Sequence, residues 1–112
     1  MAKSKNITVI NFLGNQLKAR GLSISKIILF GSQARGGATA GSDIDIAIVS
    51  VDFRGKDIFK RVELIKEAER ATIREFMVPL DIVPLTPEEL ESGCSLIAGY
   101  ARAGRVFTQR ST

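Results

Sequence analysis

Gly31-Ser32-Gln33-Ala34-Arg35-Gly36-Gly37-Ala38-Thr39-Ala40-Gly41-Ser42-Asp43-Ile44-Asp45-Ile46-Ala47-Ile48-Val49 is the stretch that decides the fold. Its second half is β-branched and apolar apart from two acids, the pattern of a buried strand. Residues two apart in a strand share a face, so Asp43 and Asp45 are expected on one side of it, at one end of a greasy element. Two carboxylates about 4 Å apart repel by roughly 1 to 4 kcal/mol, depending on how water-like the site is, and a divalent cation is the natural partner. Upstream, Ile27-Ile28-Leu29-Phe30 reads as a second buried strand running into Gly31-Ser32. The chain must turn there, and a short helix is expected at Gln33-Ala34-Arg35. Glycine-rich turns and helix N-termini bind phosphate because unpaired backbone N–H groups face the anion. A phosphate seat and a metal seat thus adjoin in the sequence.

Elsewhere the pattern alternates helices and strands. Apolar residues at Ile7, Ile10, Leu13 and Leu17 predict an amphipathic helix over about 6–20, ended by Gly21. Ile58, Val62, Ile65 and Ala68 predict a long surface helix over about 56–76. Val78 to Leu85 reads as a third strand, short or at a sheet edge because Pro79 and Pro84 cannot donate ladder hydrogen bonds. Thr86-Pro87-Glu88-Glu89 sets out an N-cap, a first-turn proline and a capping-box acid in order, so a last helix is expected from there toward Gly104, either continuous or broken near Ser92-Gly93. The fold class is α/β, a small mixed sheet with helices packed on it, and residues 1–112 are read as one domain.

Composition narrows the chemistry. The chain has no histidine, which excludes a Ser-His triad and the usual His-containing zinc sites. Carboxylates remain as metal ligands, and oxygen donors suit Mg2+ or Mn2+. Cys94 is the single cysteine and reads as a small apolar helix residue. The net charge of +4 suits a nucleotide or an acidic partner. Basic residues are scattered and aromatics few, so nucleic acid is not expected as a direct substrate. With no apolar run near ~20 residues and no signal-peptide core at the start, no membrane association is expected and the cytoplasm is the default location.

Gly31-Ser32-x-Ala34-Arg35-Gly36 followed by Ser42-Asp43-x-Asp45 resembles the signature of the DNA polymerase beta-like nucleotidyltransferase superfamily, and within it the minimal nucleotidyltransferase (MNT) proteins. A third acid on a later strand belongs to that signature, and Asp81 in Val78-Pro79-Leu80-Asp81-Ile82-Val83-Pro84 matches it. The resemblance spans about residues 20 to 110. One departure is the loop from Gly36 to Gly41, uncharged and small where relatives often carry acids or proline. The resemblance implies that Asp43, Asp45 and Asp81 are catalytic and bind Mg2+ or Mn2+, and that the Gly31-Ser32 turn holds the triphosphate of ATP. Arg35, whose planar fork suits phosphate oxygens, and Ser42, which would orient the acids, complete the nucleotide-binding set; a surface ion pair for Arg35 and simple helix capping by Ser32 are the plainer readings. Also implied is a HEPN-domain toxin as partner, with transfer of AMP to one of its tyrosines making the chain an antitoxin. A binding-only antitoxin and a small-molecule nucleotidyltransferase are the alternatives.

Overall fold

The computed structural model describes residues 2–30, 44–92 and 105–107, with side chains for 6–30 and 44–92. Helix α1 (Ala2–Ala19) leads to strand β1 (Lys26–Phe30), then β2 (Ile44–Val49), a 3-10 turn (Val51–Phe53), helix α2 (Ile58–Phe76), β3 (Leu80–Leu85), the short helix α3 (Pro87–Ser92) and β4 (Arg105–Phe107). The strands form one mixed sheet in the order β3-β2-β1-β4. β1 is antiparallel to both β2 and β4, while β2 and β3 are parallel and joined through α2. That crossover follows from chain geometry, because parallel neighbours need a long connection and a helix supplies it.

Sequence periodicity explains how the two faces of the sheet are used. Ile27 and Leu29 of β1 and Ile44, Ile46 and Ile48 of β2 join Val9, Ile10, Leu13 and Leu17 of α1 and Ile65 and Ala68 of α2 in the larger apolar cluster. The alternate residues, Ile28, Phe30, Ala47 and Val49, pack with Leu85 and Leu90 on the other face. Each fully buried Leu or Ile is worth roughly 1.5 to 3 kcal/mol, so the first cluster dominates the fold's stability. Asp45 and Asp81 belong by alternation to the second face, where the apolar cover is thinner.

The helix ends were legible in part. Gly21, with φ of 88°, closes α1: its N–H donates to Lys18 at 3.0 Å and that of Leu22 to Leu17 at 3.1 Å, the two bonds of a Schellman motif. α1 starts earlier than the periodicity indicated, and Ile7 is exposed while Val9 takes its place in the core. α2 starts at Ile58, capped by the Asp57 carboxylate, which accepts from the Lys60 N–H at 2.9 Å. Only the later part of its predicted apolar stripe is core: Ile65 and Ala68 are buried, whereas Ile58 and Val62 face solvent. β3 lies at the sheet edge as Pro84 requires, although the strand begins at Leu80, after Pro79. β4 was not anticipated. The predicted course of the last helix beyond Ser92, the turn at 33–35 and Cys94 lie outside the described residues.

The capping box at α3 is formed in full. The Glu89 N–H donates to the Thr86 hydroxyl oxygen at 3.0 Å, and the Thr86 N–H donates to the Glu89 carboxylate at 2.9 Å. Glu89 also receives both arms of Arg61, at 2.7 and 3.0 Å, and Arg61 donates further to the carbonyls of Lys56 and Pro84. One guanidinium thus ties α2, the end of β3 and α3 together. Arg61 above all, together with the Thr86 N–H, holds the Glu89 carboxyl below the ordinary carboxylate range. A depressed folded-state pKa contributes stability above the unfolded value of about 4.3, lost as pH falls through the lower folded value. Glu89→Gln is therefore expected to cost about 1 to 2 kcal/mol near neutral pH, discounted for the partial exposure of Glu89. In thermal melts the gap between wild type and variant should close toward acid.

Candidate functional site

Asp45 is the second residue of β2 and Asp81 the second of β3, and the parallel register places them directly opposite each other. Neighbouring strands are about 4.8 Å apart, so the two carboxylates leave the same face side by side. A hydrogen bond from the Ile44 N–H to the Pro79 carbonyl, 3.0 Å, pins the start of β2 to the chain entering β3 and fixes this alignment. At the other end the Ser50 N–H donates to Leu85 at 3.0 Å. The register is further constrained because a slip of one residue would turn Ile44, Ile46 and Ile48 out of the larger core.

On the other side of Asp45 lies β1. Phe30, its last residue, pairs with Asp45, so the chain leaves the sheet next to that acid and continues directly into the glycine-rich run. The sequence-predicted residues Gly31, Ser32, Arg35, Ser42 and Asp43 lie outside the described residues. What is described brings Asp45 and Asp81 together and delivers the chain toward Gly31 at the same place.

The two acids differ in surroundings. Asp45 is half-buried, whereas Asp81 is exposed on the edge strand. Asp81 sits between Leu80 and Ile82, but those neighbours point to the opposite face, toward the larger core, and do not bury it.

The charge of Asp81 is also felt on α2. Glu69 of α2 is half-buried, and its carboxyl is held above the ordinary range, first by burial and then by the negative charge of Asp81; Arg70 opposes the shift. The sequence offered no signal for it, because Glu69 falls in a run of charged helix residues that reads as a solvated face. Among the described residues no group of three or more acids or cysteines converges in a way that could hold a metal ion. The described donor set is the Asp45–Asp81 pair. Two carboxylates on adjacent strands, offering hard oxygen donors on one face, fit a magnesium-like ion.

The comparisons identify the family and the fold. The chain belongs to the nucleotidyltransferase domain family, whose profile matches residues 13–103 and so includes both strands of the acid pair. A Sulfolobus solfataricus protein assigned as a nucleotidyltransferase, known from a 1.40 Å crystal structure, superposes with a TM-score of 0.73 at 18% identity, covering 97% of this chain and 85% of that one. A chain of a toxin–antitoxin crystal structure containing AMP-PNP superposes with a TM-score of 0.61 at 24% identity, covering 91% of this chain and 73% of that one. At these identities both establish a shared fold. No curated protein sequence matches the chain. The expected α/β nucleotidyltransferase fold is thereby confirmed, and the chain falls in a class of transferases. No described helix is long and apolar enough to cross a membrane.

Proposed function

We propose that the chain transfers AMP from ATP to a hydroxyl on a partner protein, a tyrosine of a HEPN-domain toxin, and so acts as the antitoxin of a toxin–antitoxin pair. The observation that carries this reading is the in-register placement of Asp45 and Asp81 beside the end of β1, where the glycine-rich run begins. The toxin–antitoxin neighbour containing AMP-PNP supports both the donor and the setting.

In this reading Asp43, Asp45 and Asp81 hold divalent metal, which when bound supplies charge neutralisation on the triphosphate and lowers the pKa of the attacking hydroxyl. Asp45, flanked by strands on both sides, positions the nucleotide through its carboxylate. Asp81, exposed at the sheet edge, is open to an incoming acceptor and takes the proton from its hydroxyl as that oxygen bonds the α-phosphorus of ATP and pyrophosphate leaves. Backbone N–H groups of the Gly31-Ser32 turn, the Ser32 hydroxyl and Arg35 share the phosphate charge, and Ser42 orients the acids.

The turn's part is testable alone. Ser32→Ala is expected to weaken magnesium-dependent ATP binding by about 1 kcal/mol, as for one hydrogen bond, and Gly31→Val by much more because a branched side chain crowds the phosphate. Calorimetric titration reads both, and equal affinities would remove the turn from the site.

The function itself is tested by incubating the chain with labelled ATP, magnesium and the purified product of the adjacent reading frame. Label on that product, with a mass increase of one AMP, is the expected result. Cells co-expressing the pair separate the binding-only alternative: with Asp45→Asn an enzymatic antitoxin loses protection, whereas full protection with an unmodified toxin would sink the transfer reading.

A further inference from the structure

The first two turns of α2 carry apolar residues that the fold does not use. Ile58 is 52% exposed, Phe59 78% and Val62 40%, and their spacing of one, three and four places them on one side of the helix. Later turns of the same helix bury Ile65, Ala68 and Thr72, so the exposure is confined to this end.

The charges around this patch say what covers it. In the segment from Arg54 to Val62, Arg54 is paired with Glu88 and Arg61 with Glu89. Asp57 turns its carboxylate onto the first turn of α2, and Glu63, one turn beyond Phe59, is paired with Lys66. Lys56 and Lys60 carry no ion pair among the described residues. An acidic-rimmed partner meets them with opposite charge, in keeping with the chain's net charge of +4.

From these observations we propose that Ile58, Phe59 and Val62 form the docking surface for a partner protein whose apolar contact face is edged by carboxylates, with Phe59 as anchor and Lys56 and Lys60 steering the encounter. The inference rests on the reading that the chain acts on a protein. It places the grip on the partner on α2, separate from the acid pair.

The test uses the full chain and the purified product of the adjacent reading frame. Phe59→Asp is expected to weaken binding about thirtyfold or more, the loss typical of an interface anchor. Lys56→Glu with Lys60→Glu should weaken it at low salt and less at high salt. Magnesium-dependent ATP affinity should be unchanged in both variants, which shows that fold and acid pair are intact. Binding unaltered in both would overturn the docking surface while leaving the transfer reading standing. A wild-type dimer that Phe59→Asp dissolves would overturn it in favour of a second copy. No binding by any form, wild type included, removes the partner reading and the docking surface together.

Discussion

Asp45→Asn is expected to reduce AMP transfer by at least about a thousandfold and to weaken magnesium-dependent ATP binding as well. Asparagine keeps the shape and removes the charge, so the strand pairing with Phe30 and Asp81 persists while the site loses an anionic ligand. Melting temperature, ATP affinity and single-turnover transfer, measured on the same preparation, read this directly. A variant that transfers at the normal rate would exclude Asp45 from the chemistry.

Asp81→Asn should separate binding from chemistry. Asp81 lies on the edge strand and is exposed, placed to meet the acceptor, whereas Asp45 sits between two strands beside the start of the glycine-rich run. ATP affinity should therefore be largely retained while the chemical step slows by ~100-fold to 10,000-fold, the range for loss of a general base, and by more if a metal ligand is lost with it. Near-normal transfer would mean that another carboxylate serves as the third acid.

How far the sequence could be read depended on whether local chemistry or tertiary packing made the decision. Thr86-Pro87-Glu88-Glu89 and Gly21 were legible because caps are local: a few hydrogen bonds within one turn fix them. The edge position of β3 was legible because Pro84 lacks a donor wherever it sits. The same periodicity misled at Ile58 and Val62, where an apolar stripe continues past the surface it packs on. Periodicity gives a helix a face but not the length of its neighbour. β4, three residues long, carries too little pattern to stand out, and it exists through its pairing with Ile27 to Leu29.

For the site, spacing singled out Asp43 and Asp45 and the family resemblance pointed to Asp81, but nothing in the sequence sets the register that brings Asp45 and Asp81 opposite each other. That comes from the parallel pairing of β2 with β3, enforced by the isoleucines on the reverse face. Arg61 is a similar case. It reads as one basic residue among many on a surface helix, and only the tertiary fold shows it joining Lys56, Pro84 and Glu89.

The central proposal is that Asp45 and Asp81, with Asp43, hold divalent metal at the nucleotide site. The most direct measurement is an Mn2+ titration followed by electron paramagnetic resonance in the presence of AMP-PNP, comparing wild type with the Asp45→Asn, Asp81→Asn double variant. The expected result is saturable, nucleotide-dependent Mn2+ uptake by wild type that the double variant loses while keeping its fold. Equal uptake by both proteins would contradict the claim.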